Sequence, residues 1–307
     1  MPLYKFTELN VINQQHIKRM LLVSAYLLLS GCNSLYFYPM KDEVLTPAKF
    51  GMQYKDLYVR TVDNVDIHGW HIPAVGFSKG SVIFFHGNAQ NITTHIASVY
   101  WLPKQGFDVY IFDYRGYGRS QGFPSVEGVM TDAATVLKYV ITDLGKKNVV
   151  VFGQSLGGVI ALNAVSRFDK KQSIKALVVD SSFSGFREIA REKLSDIWLT
   201  WIFQYPLSYA FTASYDPKLA AAKIAPVPLL VIHGNADNII PMHHGKKLFE
   251  AAYSPKLFWK IESGKHISSM GNQGIREKFL RFLDAAVNDD IYVGMEQNIT
   301  LNTDEID

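Results

Sequence analysis

The 307-residue chain contains a single cysteine, Cys32, so no disulfide framework can hold the fold, and stability has to come from a buried core. It also lacks an excess of charge: 31 Lys and Arg oppose 28 Asp and Glu, a formal net charge of +3. Lys5, Lys18 and Arg19, set against Glu8, place most of that excess at the N-terminus. The remainder offers no basic surface for nucleic acid. No zinc-type helix motif occurs. His68 and His71 sit three apart in a strand-like run and face opposite sides, while His243 and His244, adjacent on a helix, make a poor chelate, so no metal site is expected. Long apolar runs are missing too. Met20 to Leu29 is ten residues, against the roughly 20 that a bilayer-spanning helix wants.

What stands at the N-terminus is the pattern of an export signal: basic His16-Ile17-Lys18-Arg19, the apolar run to Leu29, then the small residues Ser30-Gly31. Leu29-Ser30-Gly31-Cys32 resembles the lipobox of bacterial lipoproteins. The resemblance implies that residues 1–31 are removed, that Cys32 is lipid-modified as the first mature residue, and that 32–49 link this membrane anchor to the folded domain. Asn33, in place of Asp, implies the outer membrane if the cell is Gram-negative. An uncleaved signal anchor with an incidental cysteine is the alternative.

Hydrophobic residues at 48% and charged residues at 19% describe a well-packed globular chain. Leu57 to Val62 and Val65 to Trp70 flank Asp63-Asn64 as a hairpin. Short apolar runs follow at 82–85, 109–112, 149–152, 177–179, 229–232 and 257–261, separated in most cases by helix-period segments near 126–143, 155–168, 242–252 and 274–287. An antiparallel start followed by β-α-β alternation predicts an α/β domain over residues 50–288, with a mostly parallel sheet covered on both faces. One stretch breaks the alternation. Residues 186–215 carry Trp198, Trp201, Phe203, Tyr205, Tyr209 and Phe211, which read as a small helical cap over the site or as a helix pair on the domain edge. Residues 289–307, polar and acidic, read as a loose tail.

Gly153-Gln154-Ser155-Leu156-Gly157 places a serine in a sharp turn between an apolar strand and a helix. A serine hydroxyl is a weak nucleophile unless the backbone presents it and a base takes its proton, and the flanking glycines permit the tight strand–helix approach. Three more turns follow strand ends: His86-Gly87-Asn88-Ala89, His233 to Asp237, and Gly264-Lys265-His266. In a parallel sheet such turns converge beyond the carboxyl ends of the strands. The order Ser155, Asp237, His266 supplies a nucleophile, an acid and a base, with Asp180 as an alternative acid. Asp113 and Arg115 read as turn-holders, and His86 as a support for its own loop.

From about residue 50 to 288 the chain resembles the α/β-hydrolases. Phe85 to Ala89, Asp113-Tyr114-Arg115-Gly116-Tyr117-Gly118-Arg119-Ser120, Val227 to Gly234 and Asp237 to Pro241 resemble the branch of bacterial serine hydrolases related to eukaryotic protein depalmitoylases. The resemblance implies a cofactor-free serine hydrolase working through an acyl-enzyme, with the backbone N–H groups of Asn88 and Leu156 as the oxyanion hole. The aromatic insertion favours a lipid-like acyl ester or thioester as substrate. A peptidase or amidase on the same fold is the enzymatic alternative, and a non-catalytic envelope-binding lipoprotein the non-enzymatic one.

Overall fold

The computed structural model describes residues 37–195, 205, 208, 214–291 and 298–302. The signal segment, Cys32, and Trp198, Trp201, Phe203, Tyr209 and Phe211 of the insertion lie outside the described residues. The strands are β1 (Tyr38–Pro39), β2 (Lys55–Arg60), β3 (Asp66–Ile72), β4 (Gly80–Phe85), β5 (Ala89–Gln90), β6 (Phe107–Phe112), β7 (Val149–Gln154), β8 (Ile174–Asp180), β9 (Leu229–Gly234), β10 (Lys256–Glu262) and β11 (Asn298–Asn302). The helices are α1 (Ile92–His95), α2 (Val126–Lys138), α3 (Leu156–Ser166), α4 (Phe186–Ser195), α5 (Pro217–Ala221), α6 (His243–Ala251) and α7 (Gln273–Val287).

Nine strands form one sheet in the order β11-β10-β9-β8-β7-β4-β6-β3-β2. β2 and β3 pair antiparallel, as do β3 and β6, and from β6 through β4 to β11 the neighbours run parallel. The inner strands are continuously apolar because both faces are covered. Alternate residues sort cleanly between two cores. Ile83, Phe85, Val149, Val151, Leu229 and Val231 pack with Val129, Val136, Ile160 and Leu248 of α2, α3 and α6. Val82, Phe84, Val150, Phe152, Leu230 and Ile232 pack on the other side with Ile92, Trp101, Phe279 and Phe282. Local signals set the helix starts: Ser125 accepts from Gly128 N–H at 3.1 Å, and Asn272 from Ile275 N–H at 3.1 Å. No described helix is long and apolar enough to cross a membrane.

Two boundaries differ from those read in the sequence. The folded domain includes residues 37–50: Phe37 is buried, β1 pairs parallel with β5, and Pro47–Phe50 form a 3₁₀ turn. Within the stretch read as a loose tail, residues 298–302 form β11 on the outer edge of β10, burying Leu301. Ile299 and Leu301 alternate with polar neighbours, as an edge strand requires, but acidic flanks mask the pattern.

Candidate active site

β7 ends at Gln154, and Ser155 turns the chain into α3 with φ 55° and ψ −121°, a backbone conformation side chains rarely adopt. Three hydrogen bonds hold it there. Its N–H donates to Asp180 O at 2.9 Å, and its C=O accepts from Ser182 Oγ at 2.7 Å and from Gly158 N–H at 3.0 Å. Ser155 occupies the N-cap of α3, yet its hydroxyl does not cap the helix. It lies instead 3.1 Å from His266 Nε2.

His266 follows β10, and Asp237 follows β9. The two loops are pressed together where Ala236 N–H donates to Gly264 O at 3.0 Å. A Cβ at Gly234 would lie 2.1 Å from that carbonyl, so glycine is required. His266 Nδ1 meets Asp237 Oδ2 at 2.8 Å, and Asp237 Oδ1 accepts from the N–H groups of Ile239 and Ile240, each at 2.9 Å. Burial pushes the Asp237 carboxyl up. The hydrogen bonds from His266 and the two amides outweigh that and hold it below the usual carboxylate range. An ionised Asp237 keeps the proton on Nδ1 and leaves the Nε2 lone pair facing the Ser155 hydroxyl, an arrangement that can carry that proton away and return it.

Asp180, the alternative acid, ends β8 and is fully buried. Its oxygens accept from Gln154 Nε2 at 2.9 Å and from Ser181 Oγ and Ser269 Oγ at 3.1 Å, and burial raises its pKa. It braces the turn behind Ser155, whereas Asp237 takes the imidazole. Asp237→Asn is therefore expected to lower kcat by about 10³–10⁴-fold with the fold intact. Asp180→Asn should instead cost stability, about 1–3 kcal/mol, and leave kcat within about tenfold. Paired kcat and melting measurements check this; a larger kcat loss for Asp180→Asn reverses the assignment.

The turn after β4 passes close to the serine: a Cβ on Gly87 would lie 3.6 Å from Ser155 Cβ. Its carbonyls are tied back from several sides. Tyr114 OH donates to His86 O at 2.8 Å, and Tyr117 OH to Asn88 O at 2.7 Å. His86 Nδ1 and His95 Nε2 meet Gly87 O and Ala89 O at 2.7 and 2.9 Å. Asn88 Oδ1 also accepts from Tyr38 N–H at 3.3 Å, so β1 braces the turn from outside. Leu156, first residue of α3, presents an N–H with no partner inside its helix. Asn88, expected as an oxyanion donor, lies on this turn, Leu156 opens α3 beside Ser155, and His86 supports its own loop through Gly87 O as expected. Sequence reasoning missed Tyr114, Tyr117 and β1; buried tyrosine hydroxyls that need a partner were the available signal for the first two.

Arg115 bridges Asp132, at 2.8 and 2.9 Å, and Asp63, at 2.6 and 3.0 Å, and Asp113 accepts from Ile92 N–H at 2.9 Å, so both hold turns as expected. Burial lifts the Asp113 carboxyl from its usual 3.8 to about 7. The raised value means the native state favours the neutral acid. Stability from this group is complete below about pH 4 and is lost as pH rises through 7, a change on the order of 4 kcal/mol. Asp113→Asn is expected to remove that slope and raise the melting temperature at pH 8 relative to the parent. Equal pH slopes for the two proteins would sink the assignment.

The doubly covered parallel sheet, with a serine on the turn between a central strand and its helix, is the α/β-hydrolase fold. A family profile described as serine aminopeptidase, S33, matches residues 76–218. YfhR of Escherichia coli (strain K12) is 32% identical over 262 residues, 82% of this chain and 88% of YfhR. The chain belongs to this α/β-hydrolase family. Lysophosphatidylserine lipase ABHD12 of Gallus gallus is 32% identical over 198 residues, 62% of this chain and 51% of that protein. Among solved structures, the Pyrococcus furiosus esterase Pf2001 superposes with a TM-score of 0.64 at 22% identity, covering 82% of this chain and 96% of the esterase, a likeness of fold.

Proposed function

We propose that the protein is a serine esterase or thioesterase acting on acyl substrates with an apolar moiety, held at a membrane through a lipid on Cys32. The observation that carries the reading is the continuous line from Ser155 Oγ through His266, at 3.1 and 2.8 Å, to an Asp237 kept ionised. Ser155 Oγ attacks the acyl carbon while His266 Nε2 takes its proton. The N–H groups of Asn88 and Leu156 receive the charge that develops on the carbonyl oxygen, each worth about 3 kcal/mol at the transition state. His266 then gives its proton to the leaving alcohol or thiol, and the bond to the leaving group breaks. Water, deprotonated by the same imidazole, releases the acid and restores Ser155.

An ester-type substrate is supported by the likeness to lysophosphatidylserine lipase ABHD12. A second reading, amide or peptide hydrolysis, draws on the family description as a serine aminopeptidase. A non-catalytic binding role would leave the alignment of Ser155, His266 and Asp237 without a use. Rates on p-nitrophenyl esters from two to sixteen carbons, set beside aminoacyl p-nitroanilides, separate these readings. We expect kcat/KM to rise with chain length by at most about 0.8 kcal/mol per methylene until the pocket fills, with anilides far slower. Faster anilide cleavage would favour the peptidase. The anchor is checked by mass spectrometry of membrane-bound protein: an unmodified Cys32 excludes it.

A further inference from the structure

Away from Ser155, among the described residues, Glu192 on α4 and His243 and His244 at the start of α6 form a group of metal-type ligands. Adjacent helical residues diverge by about 100°, yet here the two imidazole centroids lie 4.4 Å apart with planes 30° from parallel. Each Nε2 meets one oxygen of the same carboxylate, His243 at 2.9 Å from Oε1 and His244 at 3.0 Å from Oε2. The ligand atoms all lie within 4.8 Å of one another. Two atoms bound tetrahedrally to zinc at its usual bond lengths are about 3.3 Å apart, so the nitrogen–oxygen separations are already near those of a filled site. The two nitrogens meet different oxygens of Glu192, so sharing one cation takes a small movement, and His243, 44% exposed, and Glu192, 33% exposed, face water and can supply it.

His244 is fixed. It is fully buried, and its Nδ1 lies 2.7 Å from Ser184 Oγ, which donates to Glu188 Oε2 at 2.7 Å. Glu188 is paired in turn with Lys247 and Lys218. In the metal-free protein Nε2 donates to Glu192 and Nδ1 accepts from Ser184 N–H; a cation on Nε2 would move the proton to Nδ1, where the relay through Ser184 Oγ to Glu188 would receive it, the kind of support that metal-binding imidazoles carry. The cost is one contact, because Ser184 N–H, 3.2 Å from the same nitrogen, has no lone pair to meet once Nδ1 is protonated.

We propose that Glu192, His243 and His244 bind a zinc-class divalent cation. Two imidazoles and one carboxylate suit zinc better than magnesium or calcium, which want oxygen ligands. The site would clamp α4 to α6, and therefore to the segment that carries Asp237. Lys193 Nζ already joins these parts by donating to Asn238 O at 3.3 Å. The role is structural and independent of the hydrolytic reading.

Equilibrium dialysis of the untagged, detergent-solubilised full-length chain against zinc chloride at pH 7.5 is expected to give one bound ion per chain. Glu192→Gln and His243→Ala should each weaken binding at least tenfold, and lowering the pH to 5.5 should weaken it as protons compete for the imidazoles. His266→Ala should leave binding within twofold. Zinc should raise the melting temperature of the parent and of His266→Ala, but not of Glu192→Gln. No bound zinc, binding unchanged in Glu192→Gln and His243→Ala, or binding abolished by His266→Ala would each overturn the proposal; the last would place the ion at the Ser155 site.

Discussion

Replacing Ser155 by Ala is expected to abolish labelling by a fluorophosphonate probe and to lower kcat by about 10⁶-fold, with the melting temperature nearly unchanged. The expected loss is so large because the hydroxyl is not spent elsewhere: the N-cap position is occupied but the cap bond is not made, and the oxygen faces His266 Nε2 at 3.1 Å. The backbone turn owes nothing to that oxygen, since Asp180 O, Ser182 Oγ and Gly158 N–H hold the main chain of residue 155. His266→Ala should cost nearly as much, because members of such a unit fail together. Retention of more than about a tenth of parental turnover by Ser155→Ala would remove the serine from the chemistry.

The second large effect is expected at Gly157, through the fold. A Cβ there would lie 2.0 Å from Phe85 O and 2.5 Å from His86 O, both main-chain atoms at the end of β4. Nothing flexible can yield, so α3 and β4 must separate at the centre of the sheet. Gly157→Ala should destabilise the protein by more than about 3 kcal/mol, the upper end for overpacking. The same displacement pulls the His86–Asn88 turn away from Leu156, so any folded fraction should label slowly. Gly271→Ala is the control: nothing lies within 4 Å of its Cβ position, and stability should stay within about 0.5 kcal/mol. Similar unfolding midpoints for the two variants would show that the close approach is not required.

The strands and helices that carry the site were legible because the inner strands are short apolar runs followed by Gly-containing turns, and α2, α6 and α7 have one apolar face at the 3.6-residue period, while α3, buried from Leu156 to Val165, is marked by the Gly-flanked turn before it. Ser155, Asp237 and His266 could be read as candidates from the strand ends they follow. Choosing Asp237 over Asp180 could not be settled by spacing, because both follow strands; the distinction lies in which carboxylate reaches the imidazole and which is consumed by Gln154, Ser181 and Ser269. β1 and β5 were invisible because two-residue strands have no periodicity to detect. Glu192 and the histidine pair are some fifty residues apart and meet only when α4 packs on α6, so the spacing of the histidines alone could not show the carboxylate that tertiary packing brings to both imidazoles.

With the proposed lipid on Cys32, β1 would sit at the end of a very short leash. Tyr38, the first residue of β1, is six residues beyond Cys32, and an extended chain gains at most about 3.6 Å per residue, so a lipid on Cys32 would enter the bilayer within about 22 Å of the strand that braces Asn88. Residues 37–50 are not slack that would let the domain drift away, since they are bound to it by Asn91, Thr93 and Gly118. Tethered so closely, the catalytic mouth would sample a thin layer of one leaflet. Its encounters would be those of lateral diffusion in two dimensions, with turnover following the surface density of acyl groups in the membrane and not their concentration in the surrounding water.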